Sequence, residues 1–286
     1  MIALLTLSIA LAGQAPRDSM LVNTAWLADR LSDPKLVLFQ VGERPEYERA
    51  HIPGAQFIEM RDVAAPRGPG LILELPAAAR LDSALEARGV SDDSRIVLYW
   101  GSDWMSPTAR VYLTLAWAGL GARVSILDGG LPAWRAEGRP VTTDVPTPKP
   151  GSLTIRPLSD IVVNATWVAQ QLNDPHVAIV DARNPQFYDG RDTSHARPGH
   201  IPGARNLPFD EIVDSSGYFK SPAQLTELYR GAGGAPGKLL VAYCHIGQQA
   251  SLVWFGARLL GYDARLYDGS FTEWTTLQQY PVERTP

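Results

Sequence analysis

The chain repeats itself, in order, across its whole length. "VNTAWL" at 22–27 returns as "VNATWV" at 163–168, and "SDP" at 32–34 returns as "NDP" at 173–175. "HIPGA" at 51–55 recurs unchanged at 200–204, and "LDGGLPAW" at 127–134 answers "YDGSFTEW" at 267–274. A period of about 140 residues is too long for a solenoid unit and suits an ordinary domain, so the chain reads as two copies of one fold. The expected layout is a first domain at 20–139, a Pro- and Thr-rich linker at 140–157 and a second domain at 158–286.

Each copy alternates apolar runs of strand length with segments of helical period. The second offers "VAIVDA" (177–182), "KLLVAY" (238–243) and "ARLYDG" (264–269); the first offers "LVLFQV", "RIVLYW" and "VSILDG". Runs so uniformly apolar predict strands covered on both faces. Leu252, Phe255, Leu259 and Leu260 recur at helical spacing before Gly261, as Val111, Leu115 and Ala118 do before Gly121. Strand, loop, helix, strand predicts an α/β fold: two tandem domains, each a mostly parallel sheet flanked by helices. Right-handed crossovers gather the loops at the strands' C-terminal ends on one edge, where such sheets bind ligands.

With 20% charged residues and a formal net charge of −4, the chain lacks the basic surface that nucleic acid or an anionic membrane requires. Its only cysteine, Cys244, excludes an intramolecular disulfide and any C-x-x-C metal or redox site. Ile2–Ala12 is too short to span a bilayer, but with Ala10 and Ala12 before Gly13 it reads as a signal peptide over 1–12, implying a periplasmic or extracellular protein.

Cys244 ends an apolar run and precedes "HIGQQ" and a helix expected to start near Ala250. Backbone N–H groups of such a loop, with the positive end of the helix, converge on the sulfur; the expectation is a lowered thiol pKa and a stabilised anion. Gly247 supplies the turn. His245 is the cationic candidate beside the thiol. A cysteine phosphatase would need an arginine where the chain has Ala250.

Duplicated domains, "HIPGA" followed by a strand, a cysteine with a five-residue loop between strand and helix, and a terminal "DG…W" together resemble the two-domain rhodanese sulfurtransferases. The resemblance implies that Cys244 takes a sulfane sulfur from a small donor and passes it to an acceptor such as cyanide or a thiol. His245, Ile246, Gly247, Gln248 and Gln249 would line the substrate site, with no metal or organic cofactor; the partners are the small-molecule donor and acceptor, and a monomer is favoured. Aligning "VLYW" with "VAYC" sets Trp100 opposite Cys244, so the first copy is expected to be silent. Thiosulfate-using members carry basic residues after the cysteine and mercaptopyruvate-using members Gly-Ser-Gly; "CHIGQQ" matches neither. Gln186, before Phe187, stands where both groups place an arginine. Thiosulfate is the favoured donor, 3-mercaptopyruvate the alternative, and a non-catalytic binding module the non-enzymatic rival.

The remaining polar residues carry structural expectations. His51 and His200 read as packing residues, Asp181 and Arg183 as an ion pair, and Asp128 and Asp268 as turn residues. Arg191, His195 and Arg197 fall in an insertion expected to be a solvated loop. Trp100 and Trp104 are expected at the domain interface, with Asp103 or Trp104 a possible wall of the site.

Overall fold

The computed structural model describes residues 16–68, 71–102 and 105–285. The N-terminal apolar segment, Asp103 and Trp104 lie outside the described residues.

Two five-stranded parallel sheets share one topology. The first consists of β1 (Leu21–Val22), β2 (Leu36–Val41), β3 (Gln56–Ile58), β4 (Arg95–Trp100) and β5 (Val124–Leu127), in the order β1-β5-β4-β2-β3. The second consists of β6 (Val162–Val163), β7 (Val177–Asp181), β8 (Arg205–Asn206), β9 (Leu239–Tyr243) and β10 (Ala264–Tyr267), in the order β6-β10-β9-β7-β8. The uniform apolar runs become the central strands because helices cover both faces; β4 and β9 are buried along nearly their whole length.

Register fixes the equivalence of the copies. Gln40 pairs with Tyr99 across β2 and β4, as Asp181 pairs with Tyr243 across β7 and β9. Each tyrosine hydroxyl accepts the N–H of the isoleucine in "HIPGA", Ile52 or Ile201, at 3.1 Å. His51 and His200 stack on Tyr47 and Tyr188 with centroids 3.9 Å apart, and each Nδ1 meets that tyrosine's carbonyl at 2.8 Å. They are packing residues. Trp100 thus stands where the second copy has Cys244.

The helices following β4 and β9, Ser106–Leu115 and Gln248–Leu259, pack against each other and join the copies; Tyr112 meets Phe255 edge-on at 4.7 Å. The second ends at Leu260 and Gly261, as expected; the first is broken by Gly119, at φ +85°, rather than by Gly121. The linker and the residue after it are strapped to the first domain: Gly151 N–H donates to Glu86 O at 2.8 Å, and Arg156 and Leu158 N–H groups donate to the Ala118 and Trp117 carbonyls.

Candidate active site

Cys244 follows β9 directly, and Gly247, at φ +83°, turns the chain into the helix at Gln248, two residues earlier than expected. The residue is fully buried. Backbone N–H groups of Ala250, Ile246, Gly247 and Gln249 point at the sulfur. The donors of this N–H cradle are thus Ile246, Gly247 and Gln249 of the loop, with Ala250 as a further member.

Its net effect differs from expectation. Burial pushes the thiol pKa above its ordinary value, and the four N–H groups only partly offset that. His245 departs further. Burial and Arg183, followed by His195, hold its pKa down at about 4, so the ring is neutral rather than cationic at neutral pH. A loop sequence shows the donors but not how completely tertiary packing removes water.

Gln248 spends its side chain elsewhere: Nε2 donates to Ser106 Oγ of the first domain at 3.1 Å. A cavity of about 550 Å³ on the first sheet's C-terminal edge reaches Gln248, with Glu43, Arg44, Glu59, Arg61 and Leu73 in its lining; Cys244 is not part of that lining.

Asp181 and Arg183 form a fully buried ion pair, Nη2 to Oδ2 at 2.5 Å and Nε to Oδ1 at 2.9 Å. Burial works against the guanidinium's charge, but Asp181 outweighs it and raises the arginine's pKa. Arg183 lies over the Phe271 ring at 3.9 Å, and Nη1 is buried without a hydrogen-bond partner among the described residues.

Several residues bearing on the site were not read as such from the sequence. Ser270, buried at φ +52°, accepts the Cys244 N–H at 3.2 Å and donates to Tyr267 O at 2.8 Å; Phe271 N–H donates to Cys244 O at 2.9 Å. A non-glycine in this left-handed region costs free energy, and here it serves to buckle the loop after β10 onto the cysteine. The signal was the repeated "DG", whose aspartates do more than turn the chain. Asp268 pairs with Arg110 of the first domain at 2.5 Å and accepts Leu75 N–H at 3.1 Å; Asp128 accepts Phe219 N–H of the second domain at 2.9 Å. The insertion is not simply solvated either. Arg191 is exposed and paired with Asp189, but Arg197 donates to four carbonyls and His195 Nε2 lies 2.9 Å from His245 Nδ1.

The first copy keeps the "DG" aspartate contact but differs around the cysteine position. Gln40 replaces Asp181, and the Glu46 carboxylate accepts the Ser102 N–H at 2.9 Å and its hydroxyl. The loop after Trp100 thus gives a donor to an internal anion. Trp100 packs toward Gly217 of the second domain, as expected of an interface residue.

The model of the rhodanese-like domain matches residues 23–137 and 164–277. The chain belongs to the rhodanese family. Among its relatives, "Sulfur carrier protein TtuD" of Thermus thermophilus is 34% identical over 93% of this chain and 96% of that protein. A Pseudomonas aeruginosa protein provisionally named 3-mercaptopyruvate sulfurtransferase is 35% identical, and a Mycobacterium tuberculosis protein provisionally named thiosulfate sulfurtransferase is 33% identical; each match covers 93% of this chain and 98% of the relative. An anaerobic ergothioneine biosynthesis enzyme from Chlorobium limicola superposes with a TM-score of 0.83 at 22% identity, over 95% of this chain and 72% of that one, a likeness of fold. The rhodanese chain is a sulfurtransferase. No helix among the described residues is long and apolar enough to cross a membrane.

Proposed function

We propose that Cys244 carries the sulfur as a persulfide and that thiosulfate loads it. The observation that carries this reading is the set of four N–H groups aimed at the buried sulfur. The Cys244 thiolate attacks the outer sulfur of thiosulfate, a new S–S bond forms, and sulfite leaves with the electron pair of the old one. The resulting persulfide anion then passes its outer sulfur to an acceptor. Backbone donors suit a compact oxyanion donor that needs no shaped side-chain pocket. Mercaptopyruvate would need fixed partners for its carboxylate and ketone, and Gln248 is already committed to Ser106. With Trp100 at the cysteine position and Glu46 on the loop, the first domain is silent and serves as a wall.

The test is intact mass after incubation with thiosulfate or with 3-mercaptopyruvate. A gain of one sulfur atom, absent in Cys244→Ser, is expected, with the larger kcat/KM for thiosulfate. Failure of both donors to label the wild type favours the binding module, and a mercaptopyruvate preference overturns the donor assignment alone. Export rests on the N-terminal sequence. Cleavage near Gly13 leaves intact the helix Pro16–Met20, whose neighbourhood includes Arg17 donating to Phe219 and Lys220 carbonyls; N-terminal sequencing of the secreted protein tests it.

A further inference from the structure

The insertion between Gly190 and Pro198 brings His195 onto the catalytic loop and is pinned on both sides of it. Asp192 N–H donates to Gln186 O at 2.9 Å, and Arg197 reaches the carbonyls of Trp274, Thr275, Leu277 and Tyr280 at 2.7–3.0 Å. His195 is half-buried, edge-on to Phe271 at 5.2 Å. Its Nε2 lies 2.9 Å from His245 Nδ1, the ring centroids are 5.2 Å apart, and the planes differ by 13°. The centroid separation exceeds the N···N distance by about two imidazole radii, so the rings meet edge to edge in nearly one plane. This is the geometry of a hydrogen bond, not of a stack.

One proton sits between the two nitrogens, which couples the tautomers. When His245 donates from Nδ1, its Nε2 is bare and His195 carries its own proton on Nδ1. Neither outer nitrogen has a hydrogen-bond partner among the described residues. The pair is thus a two-ring path with one end on the residue next to Cys244 and the other on the insertion.

We infer that this pair is the proton exit for the branch of the reaction in which a thiol takes the sulfur, with His195 acting through His245. The inference rests on the persulfide reading of Cys244. The acceptor thiol gives its proton to His245 Nε2 as its sulfur bonds the outer persulfide sulfur. The S–S bond to Cys244 breaks, and its electron pair stays on Sγ within the N–H cradle. His245 passes its Nδ1 proton to His195 Nε2, and His195 releases its Nδ1 proton to water. The products are the acceptor persulfide anion, the Cys244 thiolate and one solvated proton; no oxidant or reductant is consumed. Exchange of the His245 Nε2 proton with water resets the tautomers.

The surroundings favour passage over storage. Burial and Arg183 disfavour a charge on either ring, with Asp192 and Asp181 opposing them. A persulfide anion at Cys244 adds negative charge on the residue preceding His245 and favours proton uptake by the ring. Cyanide reacts as its anion and brings no proton to the site, so that branch does not use the path.

The experiment loads wild type, His195→Ala and His195→Asn with thiosulfate, removes excess donor, and follows single-turnover loss of the persulfide by intact mass, with dithiothreitol or cyanide as acceptor. Both variants should discharge to dithiothreitol at least about tenfold more slowly and to cyanide within about twofold of wild type. The solvent deuterium isotope effect on the thiol branch should shrink in His195→Ala, and added imidazole should restore part of the rate. Unchanged dithiothreitol rates in the variants overturn the relay, as does equal slowing with both acceptors, which marks His195 as a structural roof. A wild type that never loads removes the persulfide reading and the relay with it.

Discussion

Cys244 keeps its proton more tightly than an ordinary thiol although four N–H groups face it, because removing a thiolate from water costs more than those donors return. The thiolate is the nucleophile, and below the thiol's pKa its fraction grows about tenfold per pH unit. Loading by thiosulfate should therefore climb steadily from mildly acidic into alkaline solution. His245, held at about 4, contributes no step near the ordinary imidazole value of about 6.5. Loading rates across pH for wild type and His245→Ala should have the same shape. A step near about pH 6.5 that disappears in His245→Ala would restore the cationic histidine.

The strand-to-helix turn at Gly247 holds the cradle together. A Cβ there would lie 2.8 Å from Arg110 Nη1 and 3.0 Å from Asp268 Oδ1, in a backbone that already disfavours one at φ +83°. Gly247→Ala should cost about 1–2 kcal/mol from the backbone alone, and more from displacing the ion pair, with slower loading. Gly237→Ala, at φ +81° with nothing within 4 Å, carries only the backbone penalty. Urea unfolding of both variants checks the difference; equal losses would mean that contact with the ion pair is worth nothing. At this scale the sequence was readable where the pattern is local. Periodicity placed β7, β9 and β10 to within one or two residues, and the position of Cys244 before a loop and helix followed from it. Ser270 and His195 were not legible as neighbours of the cysteine, because nothing local sets what they touch. Ser270 meets Cys244 only once β10 lies beside β9, and His195 meets His245 only once Arg197 is tied to the carbonyls after β10.

The two copies exchange matching contacts: each "DG" aspartate accepts a backbone N–H from the opposite domain, Asp128 from Phe219 and Asp268 from Leu75. Asp128 also lies 3.8 Å from Arg17, a partly exposed cation, whereas Asp268 pairs with a buried one, Arg110, whose Nη2 in turn donates to Leu73 O. That pair backs Gly247, so the first domain supports the loop after Cys244 from behind. Arg110 is 2% exposed and Asp268 13%, a setting in which removing one partner strands the other charge. Arg110→Met should destabilise the protein by about 3–5 kcal/mol and slow sulfur loading at a cysteine in the other domain. Arg110→Met with Asp268→Asn removes the stranded charge yet keeps an oxygen for Leu75 N–H, and should regain most of the lost stability. Urea denaturation of the two single variants and the double gives the coupling. If the losses simply add, the pair does not join the domains energetically, and support of the loop must come from the packing of Tyr112 on Phe255 and the Gln248–Ser106 hydrogen bond instead.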